Sequence, residues 1–191
     1  MALGFYFDMT RCVGCRACQI ACKDKNRLDV GTILRTAKTY SVGKFPAVKT
    51  YSYSASCNHC ENPACVANCP VGAMYKAEDG TVLHDKELCI GCQTCVSVCP
   101  YQAPQFIPAE NKVTKCDACA YLRAKGMNPA CVDACPSRAL DFGDLDELRA
   151  KYGDDLVSDL PILPDSSVTG ANILIKVKEC ASSGESKELP L

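Results

Sequence analysis

Cys89-Ile-Gly-Cys92-Gln-Thr-Cys95-Val-Ser-Val-Cys99-Pro100 sets four cysteines at x2, x2, x3 spacing and closes on proline. Two Cys-x-x-Cys steps in succession let three thiolates wrap three corners of an iron–sulfide cube, whose tetrahedral irons each need one soft protein ligand. The fourth thiolate, three residues on and followed by proline, points off its helix toward a neighbouring cube. Working outward, Cys12, Cys15, Cys18 and Cys22 repeat the spacing with Lys23 in place of the proline. Cys57, Cys60, Cys65 and Cys69 lengthen one gap to four residues, and Cys116, Cys119, Cys131 and Cys135 lengthen it to eleven. Both variants keep x3 and a final Cys-Pro.

These groups use sixteen of the seventeen cysteines in 191 residues. Such a fraction is the usual mark of a disulfide scaffold, but scaffolds scatter half-cystines along loops, whereas these are bunched. Zinc ribbons need two well-separated Cys-x-x-Cys knuckles and have no use for a third thiolate two residues later. The spacing therefore predicts four [4Fe-4S] clusters, and a chain of this length built around them has little volume left for a substrate pocket.

A net charge of −1, with 48% hydrophobic and 23% charged residues, describes a globular chain and gives no basic footprint for nucleic acid. No stretch approaches the apolar run of roughly 18 residues that a membrane span needs. Met1 to Thr10 lacks a basic leader, an apolar signal core and a paired-arginine export motif. The expectation is a chain with no signal peptide and no direct membrane insertion.

Internal repeats support the grouping. Asp8-Met-Thr-Arg-Cys12-Val-Gly-Cys15 is echoed by Asp85-Lys-Glu-Leu-Cys89-Ile-Gly-Cys92, and Cys69-Pro-Val-Gly-Ala73 by the runs at Cys99 and Cys135. Each unit reads as a cysteine-rich turn, a short helix and a Cys-Pro step that starts a strand. Hairpins are expected at Ala73–Lys76 with Thr81–His84, and at Pro104–Ile107 with Lys112–Lys115. Ala120 to Lys125 reads as a helix ending at Gly126, and a further short helix carries Cys131 and Cys135. Asp144-Leu-Asp-Glu147 is a capping box for a helix closing at Gly153. Beyond it lies one strand-like segment, Ile173 to Val177. This tail is expected to be disordered or, by preference, an arm on a partner subunit.

Other residues carry weaker signals. His59 and His84 read as packing residues, because cysteine already supplies every corner. Cys180 reads as a bystander thiol. Tyr6, Tyr53, Tyr75 and Tyr101 are expected to shield clusters, and Arg11, Arg16, Lys23, Lys25, Arg27, Lys115 and Arg123 read mostly as a solvated basic face. No phosphate-binding loop or nucleophile–base pair is visible, so catalytic residues are expected to be none.

The order of the groups, together with Cys-Asn-His-Cys-Glu-Asn-Pro-Ala-Cys at 57–65, Lys-Cys-Asp-Ala-Cys at 115–119 and Ala-Leu-Asp-Phe-Gly at 139–143, resembles the iron–sulfur (B) subunits of the dimethyl sulfoxide reductase family. The resemblance covers essentially the whole chain. It implies an α+β fold of two ferredoxin-like dicluster units, one inserted into the other, with short hairpins and helices. The first unit would take residues 1–48 and 108–143, the second 49–107, and a C-terminal helix and partner-binding arm 144–191.

It also implies how the cysteines pair. One cube would take Cys12, Cys15, Cys18 and Cys135, and a second Cys22, Cys116, Cys119 and Cys131. A third would take Cys57, Cys60, Cys65 and Cys99, and the last Cys69, Cys89, Cys92 and Cys95. In some relatives the position of Cys95 is not cysteine and a three-iron cluster results. Cys95 is present here, so four-iron clusters are expected throughout.

By the same resemblance the chain would be a non-catalytic electron-transfer subunit of a molybdopterin-dependent oxidoreductase. Its partners would be a large catalytic subunit with a molybdenum or tungsten bis-pyranopterin cofactor and, as in many relatives, a quinone-reactive membrane anchor. It would be membrane-associated through these partners, either exported folded with the catalytic subunit or cytoplasmic. The alternative is a free polyferredoxin serving soluble redox enzymes.

Overall fold

The computed structural model describes residues 2–183 and 185–190. In chain order the elements are β1 (Leu3–Asp8), α1 (Ala17–Lys25), β2 (Thr36–Val42), β3 (Lys49–Ala55), α2 (Ala64–Ala67), β4 (Met74–Lys76), β5 (Val82–His84) and α3 (Thr94–Val98). There follow β6 (Gln105–Ile107), β7 (Lys112–Thr114), α4 (Ala120–Arg123), α5 (Ala130–Asp133), β8 (Leu140–Asp144), α6 (Leu145–Tyr152), β9 (Ile173–Lys176) and β10 (Ser186–Leu189). Helices of four or five residues cannot persist by their own hydrogen bonds, so packing around the cysteines must hold them.

The repeated motif has a repeated backbone. In the first Cys-x-x-Cys step of each group the residue before the second cysteine is left-handed: Gly14 at φ 70°, His59 at 46°, Gly91 at 72° and Ala118 at 50°. This turn aims backbone N–H groups inward, as in other anion-binding nests. Gly91 is obligatory, because a Cβ there would lie 2.3 Å from the Asn111 carbonyl oxygen. A second left-handed residue follows each Cys-Pro step by two positions: Gly72, Gln102 and Arg138. Without the proline, Lys23 lets α1 run on to Lys25, and this helix of nine residues is the longest among those described.

Two three-stranded sheets and two hairpins carry these turns. The hairpins, β4 with β5 and β6 with β7, are those the turn signals predict. β1 is the middle strand of the first sheet, antiparallel to β8 (Phe5 opposite Phe142) and parallel to β9 (Phe5 opposite Ile173). Strand alternation then sorts the core. Phe5, Phe7, Ile173 and Ile175 face the cysteines, while Tyr6 and Leu174 face Leu148 of α6 and Leu156 beyond it. Asp144 caps α6 through Oδ1, which accepts from Asp146 N at 3.0 Å and Glu147 N at 3.3 Å, and Gly153 follows the helix.

Of the two expectations for the tail, disorder is not what its described residues show. β9 is buried against β1, and β10 pairs with β2 in a second sheet, β10-β2-β3. The physical reason lies in β1, which is apolar on both faces and needs a neighbour on each edge. β1 carries no local signal of its own, whereas the β2–β3 hairpin turns through Gly43-Lys-Phe-Pro46, a signal the sequence reading passed over.

Candidate metal centres

None of the seventeen cysteines is joined in a disulfide. Three cavities are each lined by four of them. Cys57, Cys60, Cys65 and Cys99 line one, with Pro63, Ala64, Val82, Pro100 and Pro104 among the other walls. Cys69, Cys89, Cys92 and Cys95 line the next, with Pro70, Met74 and Val113. Cys12, Cys15, Cys18 and Cys135 line the third, with Phe7, Pro136 and Leu140. The remaining four, Cys22, Cys116, Cys119 and Cys131, are all buried. Burial is the main cause that raises the Cys22 thiol to about 11, with Arg35 opposing the rise and Cys131 and Cys119 adding to it. Cys116 is raised by burial and then by Cys57, Cys22 and Cys131.

The chemistry of this donor set fits iron–sulfur clusters. Sulfur is the soft ligand they require, the walls are mostly apolar, and the thiols stand around a space. Among the described residues no three His, Cys, Asp or Glu side chains converge on a position for a single metal ion. Burial also raises Cys60 to about 11, Cys65 to about 12 and Cys95 to about 11, so loading must displace protons from these thiols.

Hydrogen-bond donors surround the sulfurs. Ala118 N lies 3.4 Å from Cys116 Sγ and Ala139 N 3.2 Å from Cys135 Sγ. Thr169 Oγ1 donates to Cys60 Sγ at 3.1 Å, and Asn26 Nδ2 lies 3.6 Å from Cys22 Sγ. Ser54 Oγ is 3.4 Å from Cys18 Sγ, and Thr94 Oγ1 is 3.4 Å from Cys92 Sγ. Such donors stabilise charge on cluster sulfur and are one of the protein's means of setting its potential.

Several single-residue expectations need correction. Lys115 is buried, not solvated: its Nζ donates to the Val82 carbonyl and, at 2.6 Å, to that of Cys116. Arg123 is half-buried, with Nη1 2.7 Å from Asp79 Oδ2 and Nε donating to the Ala118 carbonyl at 3.0 Å. Arg11 and Arg27 are exposed, as a surface role requires, while Arg16, Lys23 and Lys25 are half-buried. Tyr6 turns away from the thiols and stacks on Tyr152 with ring centres 3.8 Å apart, and Tyr75 is largely exposed. Tyr53 is buried edge-on against Phe7. Cys180 is a packed thiol, its Sγ 3.8 Å from the Thr50 carbonyl oxygen.

His59 is fully buried, and its Nδ1 accepts a hydrogen bond from Val82 N at 3.1 Å. Burial, with Lys115 and Arg123 nearby, holds its pKa well below the ordinary histidine value, which makes it a neutral packing residue. His84 forms part of the wall around Cys69, Cys89, Cys92 and Cys95. The buried residue that sequence reasoning missed is Arg35, in the linker before β2. No local pattern sets it apart from a surface arginine.

Among the described residues no helix is long and apolar enough to cross a membrane. The sequence matches the family model of the 4Fe-4S dicluster domain over residues 48–145 and that of the 4Fe-4S binding domain over residues 9–30. It is 46% identical over 181 residues to the B subunit of anaerobic dimethyl sulfoxide reductase from Escherichia coli (strain K12), covering 91% of this protein and 87% of that one. The corresponding B subunit from Haemophilus influenzae is 44% identical over 188 residues, covering 93% and 90%. Protein NrfC of Escherichia coli (strain K12) is 40% identical over 150 residues, covering 75% and 66%. With thiol-lined cavities and a likeness that runs nearly end to end, the protein belongs to the 4Fe-4S dicluster family alongside the B subunits of anaerobic dimethyl sulfoxide reductase, as a non-catalytic electron-transfer subunit.

Proposed function

We propose that the protein relays single electrons through four [4Fe-4S] clusters, between a quinol-side or other donor and a large catalytic subunit with a molybdenum or tungsten bis-pyranopterin cofactor. The ligand sets are Cys12, Cys15, Cys18, Cys135; Cys22, Cys116, Cys119, Cys131; Cys57, Cys60, Cys65, Cys99; and Cys69, Cys89, Cys92, Cys95. Each cluster would supply a centre that takes up and gives back one electron.

The observation that carries this reading is the mixing of groups at each cavity. Cys99 of the third group joins three cysteines of the second, and Cys135 of the fourth joins three of the first. Cys69 of the second likewise joins three of the third. That interleaving is what ferredoxin-type ligation requires. Cys116 and Cys57 belong to different pairs of groups yet lie in one buried cluster of the core, so the two pairs adjoin. Cys15 and Cys92 are exposed, which gives each outer set one thiol at the surface where a partner can approach.

The nested organisation, with residues 1–48 and 108–143 enclosing 49–107, is supported by the pairing of β1 with β8, which joins the two ends of the outer unit. The described residues beyond 144 are fastened to the rest of the protein through β9, β10 and Thr169.

Anaerobic co-purification tests the partnership. A stable complex with a large subunit containing molybdenum or tungsten is expected. A monomeric carrier that reduces several soluble enzymes would overturn the reading in favour of a free polyferredoxin.

A further inference from the structure

Arg35 lies just before β2 and is 2% exposed. Nη1 donates to the Ser54 carbonyl at 3.2 Å and to Ser54 Oγ at 3.1 Å, and Nη2 donates to Ser56 Oγ at 2.7 Å. The guanidinium carbon sits 4.4 Å from the centre of the Phe5 ring. Every one of these partners is neutral. Among the described residues no carboxylate forms an ion pair with Arg35, whereas Arg123, the other deeply placed arginine, has Asp79.

A buried cation without a counter-charge is strongly penalised, so the compensating negative charge must come from elsewhere. The groups that act on Arg35 electrostatically are Cys131, Cys116, Cys18 and Cys22. Cys18 belongs to one proposed ligand set and the other three to its neighbour. Ligating cysteines are thiolates, and an oxidised cube with four of them carries about two negative charges. The guanidinium is thus placed beside two anionic groups.

We propose that Arg35 is a positioning residue and the shared buried counter-ion of these two sets, raising the reduction potentials of the clusters held there. It acts in two ways. Its charge lies near Cys22, Cys116 and Cys131 in a water-poor interior where screening is weak. It also orients Ser54: because the Ser54 oxygen accepts from Nη1, its hydrogen is free to point at Cys18 Sγ, 3.4 Å away. Reduction adds negative charge, which a fixed cation and a fixed hydroxyl donor both favour. Cys131, Cys116, Cys18 and Cys22 are the thiols with the largest influence on Arg35, while Lys115 acts on Cys65, so Arg35 acts most strongly on these two sets.

The inference rests on the four-cluster reading, and potentiometric titration of the anaerobically purified complex, followed by electron paramagnetic resonance, tests it. Arg35→Met is expected to lower two of the four midpoint potentials and leave the other two in place. Arg35→Lys, which keeps the charge, is expected to restore most of the shift, and Ser54→Ala to lower one potential only. Four unmoved potentials in an iron-replete Arg35→Met complex, or four that move together, would overturn the counter-ion role. If Arg35→Met does not retain its iron, the other two variants decide. Retained iron with Arg35→Lys and a single shift with Ser54→Ala uphold the proposal, and loss of iron with Arg35→Lys or no shift with Ser54→Ala overturns it. Wild-type protein lacking its full iron would instead remove the four-cluster reading itself.

Discussion

Thr169 holds its hydroxyl 3.1 Å from Sγ of Cys60, joining the C-terminal segment to a cysteine of the second group across 109 positions of sequence. The same segment is anchored on both sides. Glu61 N and Asn62 N donate to the carbonyls of Gly170 and Thr169, and Asn172 Nδ2 donates to the His59 carbonyl at 2.7 Å. The tail is therefore a wall of the thiol cavity lined by Cys57, Cys60, Cys65 and Cys99.

Thr169→Val keeps the shape and removes the donor. The potential of the centre at Cys60 should fall while the others stay, and stability should drop by about 1 kcal/mol, the usual worth of one such hydrogen bond. Potentiometry and thermal melting of the loaded complex check both. An unmoved potential would mean that the hydroxyl does not act on the cluster.

Gly91 and Gly72 separate two costs of adding a Cβ. Both have positive φ, at 72° and 66°, but a Cβ at 91 would strike the Asn111 carbonyl, whereas nothing lies within 4 Å of one at 72. Gly72→Ala should cost about 1–2 kcal/mol from the left-handed backbone alone. Gly91→Ala should cost clearly more and lower iron retention. Equal melting temperatures for the two variants would contradict the close approach.

Ile175 is fully buried between β1 and the thiol side of the core. Ile175→Ala should destabilise the protein by about 2–5 kcal/mol, as large-to-small core changes do. Chemical denaturation measures it. A cost near zero would mean that β9 contributes no core and that the tail is only a tether.

Cys95→Ser removes one thiol from the wall shared with Cys69, Cys89 and Cys92. One four-iron centre should become a three-iron centre, with its signal in the oxidised protein by electron paramagnetic resonance. A spectrum unchanged from wild type would contradict this ligand set.

What the sequence disclosed and what it hid divide along physical lines. The Cys-x-x-Cys turns, the Cys-Pro steps, both small hairpins and the α6 cap are local: a few adjacent residues dictate each, and the structure has them where the spacing puts them. The β2–β3 hairpin is local too and its Gly43–Pro46 turn was readable, whereas β1 and the placement of β9 and β10 are fixed by partners more than a hundred residues away or by burial on two faces, and no short pattern encodes that. Lys115 and Arg35 were hidden for the same reason, since a charged residue in a polar stretch looks solvated until the fold closes over it. Cys180 is a further case, its burial following from where β3 runs.

Counting iron and acid-labile sulfide in anaerobically purified protein tests the central claim most directly. About sixteen of each per polypeptide are expected if four cubes occupy the four thiol sets. Half those numbers, or metal bound without sulfide, would contradict it.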